Sequence, residues 1–142
     1  RELGVAFVAF SPLARAFLTD TLHEPETQLE ARDIRRQMPR FEPANYAKNL
    51  ELLPEYRRLA NAAGGTPAQL ALAWLLAQGE DIVPIFGTRS LAHCDENIGA
   101  AALRLDRRFI GQLDALINRQ TVAGPRYNAA TQAEIDTETF PN

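Results

Sequence analysis

The sequence predicts an α/β fold in which two buried strands and the helices between them form a β-α-β unit of a parallel sheet. Two apolar runs, VAFVAF at residues 5–10 and IVPIF at residues 82–86, combine β-branched and aromatic residues in lengths that suit strands. Helical patterns with capping residues fill the space between them. Strands this continuously apolar belong to sheets covered on both faces. Two strands cannot cover their own edges, so further strands are expected, either from an N-terminal half or from a second copy of the chain.

The first strand should end at Ser11-Pro12, because Pro12 has no N–H for a ladder. Residues 13–44 are polar and irregular, with Pro25, Pro39 and Pro43 and a short helical candidate at 29–37. A connection of that length reads as a functional loop. From Asn45 onward, Leu52, Leu53, Tyr56, Leu59, Ala60 and Ala63 form the stripe of an amphipathic helix that Gly64-Gly65 ends. Thr66 caps the next helix with Pro67 at its first position, and residues 68–77 (AQLALAWLLA) are apolar nearly all round, so this helix should be deeply packed.

Gly79 stops that helix before the second strand, where Pro84 is tolerated only if its missing N–H is not needed. Ser90 caps a helix reaching about Ala101, and Asp106 caps another with Phe109, Ile110, Leu113, Leu116 and Ile117 on one face. The tail from Thr121 reads as an extended arm.

Composition sets the broad class. With 142 residues, net charge −3 and 46% hydrophobic residues, the chain suits one globular unit and offers no basic face for nucleic acid or an anionic membrane. Its single cysteine, Cys94, excludes an internal disulfide framework and a multi-thiolate metal site. No apolar run approaches the roughly 18 residues of a membrane span, so a soluble, cytoplasmic protein is expected. The opening RELG reads as the last turn of a helix capped by Gly4, which suggests the C-terminal part of something longer.

Complete catalytic sets are absent by motif: His23 and His93 lie in different segments, and there is no nucleophile elbow or glycine-rich dinucleotide signature. The chemistry gathers instead where each strand ends. Ser11, Pro12, Leu13, Ala14 and Arg15 make a turn that offers backbone N–H groups and a cation. Gly87, Thr88, Arg89 and Ser90 lead into a helix whose positive dipole end faces the same region. Such ends hold phosphates in parallel α/β folds, although Gly87 also suits a plain turn and Arg89 a solvated charge.

His93, Glu96 and Asn97 follow Arg89 along one helical face, which by spacing alone also describes a solvent-facing polar stripe. Arg35, Arg36 and Arg40 read as solvated charge or as a clamp on a phosphate. Cys94 and Trp74 read as core residues.

The phrases VAFVAFSPLARAFL, DIRRQMPRF, TPAQLALAWLLAQG and above all IVPIFGTRS followed by DEN resemble the C-terminal part of the aldo-keto reductases, in the right order over nearly the whole chain to its end TETFPN. The likeness is strongest to the bacterial and plant branches that carry GTRS. It implies a (β/α)8 TIM barrel of which residues 1–142 form the C-terminal part: strands seven and eight, their helices and the C-terminal extension. It also implies NADP(H) as cofactor and a small carbonyl compound as substrate.

By the same resemblance, Ser11, Pro12, Leu13 and Ala14 lie along the pyrophosphate with Arg15 and Phe17 lining the same loop, and Gly87, Thr88 and Arg89 hold the adenosine 2′-phosphate. The positions of His93, Glu96 and Asn97 contact the phosphate edge and adenine. Two residues depart from the family: Phe86 stands where proline is common and Ala16 where glycine is common, so altered turns are expected at both strand ends. The family's catalytic Asp, Tyr, Lys and His match nothing here, and Tyr46, Tyr56 and Tyr127 fall in the wrong segments. The alternatives are a nucleotide-binding interaction module, as in potassium-channel β subunits that resemble reductases, or a chain with no function of its own.

Overall fold

In a computed structural model, residues 2–135 are described. Strands β1 (Phe7–Phe10) and β2 (Ile82–Ile85) pair in parallel, with Phe7 opposite Ile82 and Phe10 opposite Ile85. β1 begins two residues later than its apolar run. Ile82 N–H turns back to Gly79 O, so β2 has no residues upstream for Val5 and Ala6 to pair with. Phe7 N–H donates to Asp81 O at 2.7 Å, which turns the amides of the odd-numbered β2 residues toward β1. Pro84, opposite Ala9, therefore faces the outer edge, where β1 needs no donor.

Residues 13–44 are more ordered than their irregular sequence suggests. 3₁₀ turns span Ala14–Thr19, Ile34–Gln37 and Pro39–Phe41, with a short helix α1 at Pro25–Gln28. The helix expected at 29–37 is thus split, because Leu29 adopts extended backbone. Phe17, Leu22, Leu29 and Phe41 from this segment are buried in the main core. Tyr46 packs edge-on to Phe17 and stacks on Phe41, and its hydroxyl donates to Leu22 O at 2.5 Å.

The long amphipathic helix is two, α2 (Pro43–Leu50) and α3 (Leu53–Ala62). Pro54 lacks the N–H that would bond Leu50 O, so the break falls there. Gly64 ends α3 at φ 76°. Helix α4 (Pro67–Ala77) opens on a capping box between Thr66 and Gln69 and touches β2, α3 and the first loop. Ala68, Leu70, Ala71, Leu72 and Ala73 are all buried on it, as its all-round apolar pattern predicts.

Helix α5 (Leu91–Gly99), capped by Ser90, ends in a 3₁₀ turn at Ala100–Ala102, and α6 (Arg107–Leu116) is capped by Asp106. The tail is docked rather than extended. The buried Asn49 side chain accepts from Ala123 N–H at 2.7 Å and donates to Ala123 O at 3.0 Å, while Arg40 donates to Gly124 O. A short helix α7 (Ala129–Ala133) follows. Arg1 and the TETFPN end fall outside the described residues.

The sheet is not covered on both faces. Ala9 is buried, but Phe7 is 62% exposed, Val8 53%, Phe10 52% and Ile85 51%. Among the described residues no third strand covers these side chains. No described helix is long and apolar enough to cross a membrane, and no group of three metal-ligating side chains occurs among the described residues.

Candidate functional site

Because the strands are parallel and in register, the loops after Phe10 and Ile85 leave the sheet at the same end. The first loop bends through left-handed backbone: Ser11 (φ 52°), Ala14 (φ 48°), Arg15 (φ 57°) and Ala16 (φ 74°) all have positive φ without being glycine. Non-glycine residues held this way store strain, which concentrates at ligand-binding backbone. In the second loop, Thr88 Oγ1 accepts from Ser90 N–H at 3.1 Å, and Ser90 Oγ accepts from His93 N–H, so the turn leads directly into α5.

A cleft of about 480 Å³ lies between the two loops and α5. Ser11, Pro12, Leu13 and Arg15 line it from the first loop, Gly87 and Thr88 from the second, and His93, Glu96 and Asn97 from α5. Nine of the thirteen residues singled out from sequence therefore meet in one place. Ala14 and Phe17 line a neighbouring, larger cavity of about 880 Å³, whose wall shares Ser11, Pro12 and Arg15 with the cleft. Arg89 is exposed and lines neither cavity.

Arg35 stands behind the first loop. It donates to Arg15 O at 3.1 Å and grips Asp33 through two nitrogens at 2.9 and 2.7 Å, holding the Asp33 carboxyl down at about 2. Its guanidinium braces the loop backbone. Arg36 is likewise bound to the carbonyls of Glu26, Leu29 and Glu30.

On α5 the polar stripe is not uniformly solvent-facing. His93 is exposed and Glu96 half-buried, while Asn97 is only 5% exposed. Asn97 Oδ1 is buried and makes no hydrogen bond among the described residues. The helix is fixed in place by Gln69 of α4, whose Nε2 donates to Glu96 O at 2.9 Å. That contact passes over Gly99, where a Cβ would lie 2.7 Å from Gln69 Nε2.

The model for the "Aldo/keto reductase family" matches residues 1–118. The chain belongs to this family. An aldo-keto reductase of Schizosaccharomyces pombe, yakc [NADP(+)], is 38% identical over 99% of the chain, and aldo-keto reductase str7 of Strobilurus tenacellus is 34% identical over the same share. The chain spans about two fifths of the length of these relatives, 41% and 42%. In three dimensions it is similar to the glycerol dehydrogenase of Gluconobacter oxydans, with a TM-score of 0.72 at 22% identity over 96% of the chain and 38% of that protein, a likeness of fold.

Several cleft residues of this aldo/keto reductase chain escaped sequence reading. Thr19 and Thr21 line the cleft and share a 2.7 Å hydrogen bond between their hydroxyls, and Ala68 and Ile85 line it too, beside Ala16 and Phe86, which the sequence marked only as departures at the turns. The Thr-x-Thr pair was the available signal, but its separation from Ser11 hid the return of the loop. Tyr46 and Tyr56 are buried donors to Leu22 O and Pro67 O. Burial pushes Tyr46 up to about 12 and raises Tyr56 further.

Proposed function

We propose that the chain is the cofactor-holding part of an NADP(H)-dependent aldo-keto reductase, an oxidoreductase that reduces aldehyde or ketone carbonyls. In this reading residues 1–142 form strands seven and eight, their helices and the C-terminal extension of a (β/α)8 barrel. The observation that carries it is the cleft at the shared carboxyl end of the two strands, with the buried, unbonded Asn97 Oδ1 in its lining.

The residues present fit a dinucleotide. Asn97 Oδ1 is an acceptor, which suits the exocyclic amine of adenine. The left-handed turn at Ser11 and Ala14–Ala16 exposes backbone suited to a diphosphate, as concave backbone turns do. Thr88 and the N-terminus of α5 suit a further phosphate, with the exposed Arg89 next to Thr88 in sequence. When bound, NADPH supplies a hydride to the carbonyl carbon.

This chain's own residues bind and orient. Arg15 adds a cation to the cleft wall, Arg35 fixes Arg15 by its carbonyl, and Gln69 fixes the helix that carries Glu96 and Asn97. No proton donor is assigned within the chain: the phenols of Tyr46 and Tyr56 are buried and donate to Leu22 O and Pro67 O. In this reading, as the resemblance implies, the acid lies outside residues 2–135.

Arg89→Ala should weaken NADPH binding by about 1–3 kcal/mol, the scale of a charge-assisted hydrogen bond, and leave NADH nearly unchanged. Fluorescence titration of the protein as its source makes it reads both constants. Equal losses for the two cofactors would refute the phosphate role of Arg89. Failure to oxidise NADPH with any of a panel of aldehydes and ketones would refute the reductase.

A further inference from the structure

We infer that the larger cavity takes a carbonyl compound whose aromatic body bears a neutral oxygen acceptor, an ether or a second carbonyl, recognised by the side-chain amide of Gln132. The carbonyl rests on the reductase reading above; the acceptor rests on the cavity. That cavity, about 880 Å³, lies within the range of small-molecule sites. Its body is apolar, with the rings of Phe10, Phe41, Tyr46 and Trp74 in the lining, a wall that suits a flat aromatic group.

Much of the polar lining is already engaged within the protein. Asn49 is bound to Ala123, Tyr46 donates to Leu22 O and Tyr56 to Pro67 O, and Trp74 Nε1 donates to Asp114 Oδ1 at 2.8 Å. A phenol or an indole has a single hydrogen to donate, so these three rings have none left for a ligand. The guanidinium of Arg40 donates to Gly124 O, and that of Arg126 lies over the rings of Phe10 and Tyr127.

Gln132 of α7 differs. It lines the same cavity, and its Nε2 is buried with no hydrogen-bond partner among the described residues. A buried donor left unpaired is costly, so an acceptor that reaches it is favoured over an apolar group of the same shape. The acceptor is a neutral oxygen, because burying a carboxylate costs far more than one amide offsets. Since Ser11, Pro12 and Arg15 line both cavities, a molecule that reaches from Gln132 to these residues brings its carbonyl beside the cofactor cleft. There the carbonyl carbon takes the hydride of NADPH and its oxygen a proton, which leaves the alcohol and NADP+.

The test compares kcat/KM for para-methoxybenzylacetone and para-ethylbenzylacetone, with NADPH, on the protein as its source makes it. The two ketones have nearly the same shape, and their carbonyl is insulated from the ring substituent. The ether should be preferred by about three- to tenfold, the scale of one neutral hydrogen bond. Gln132→Met, close in length and without a donor, should remove that preference through KM, with kcat/KM for the ethyl compound and the NADPH Kd unchanged. Equal kcat/KM for the two ketones, a preference that Gln132→Met leaves intact, or an equal loss for both compounds in the variant overturns the inference while the reductase reading stands. If neither ketone is reduced, the reductase reading stands or falls by the wider panel of carbonyls, and calorimetry with the same two compounds decides the acceptor site. Binding of the ether tighter by about threefold or more, and no longer so in Gln132→Met, supports the site; absent or equal binding overturns it.

Discussion

Ala16 shows how closely one side chain can be read against backbone. At φ 74° and ψ 2° it holds a conformation that costs an L-residue about 1–2 kcal/mol and a glycine almost nothing. Part of that gain is lost to the greater freedom of glycine when unfolded. Ala16→Gly should therefore stabilise the protein by about 0.5–1 kcal/mol in chemical denaturation, and a loss of stability would show that the loop is not held as described. The resemblance had marked this position as a departure from glycine, and the positive φ explains why glycine suits it. Asn97 was legible as a site residue from its place after Arg89, but its burial was not. Spacing assigns a residue to a face of α5; it does not say that Gln69 will draw that helix onto α4.

Among the elements, those with strong local chemistry were legible. Thr66, Ser90 and Asp106 all cap helices as predicted, because a short polar side chain before an apolar run has few other uses. Residues 13–44 were not, since 3₁₀ turns of three to six residues are too short to display a period, and their buried Phe17 and Phe41 look like isolated apolar residues in a loop. The docking of the tail was equally hidden, because Asn49 lies on α2, far from Ala123 in sequence. Gly124 makes that docking testable. It sits at φ 83°, and a Cβ there would lie 2.8 Å from Asn45 Nδ2 and 3.1 Å from Pro39 O. Gly124→Ala should cost about 1–3 kcal/mol, read by denaturation, and should speed proteolytic cutting between α6 and α7. Unchanged stability and cutting would mean that the tail is not seated against Asn45.

On the scale of the whole molecule, the two-stranded sheet leaves apolar side chains at the surface. Phe7, Val8, Phe10, Val83 and Ile85 are each at least 46% exposed. Edges and faces of this kind associate unless other strands cover them. A polypeptide of residues 1–142 made alone should self-associate with rising concentration in sedimentation experiments, and Val8→Lys with Val83→Lys should reduce it. A monomer at all concentrations would contradict the exposure described.

The two cavities share the lining residues Ser11, Pro12 and Arg15. A ligand in one that displaces these shared residues changes the hold of the other on its own occupant, and by linkage the change is equal in both directions. The wall thus makes the order of arrival matter for rate alone: a molecule that tightens its neighbour's hold is itself held tighter by the same factor.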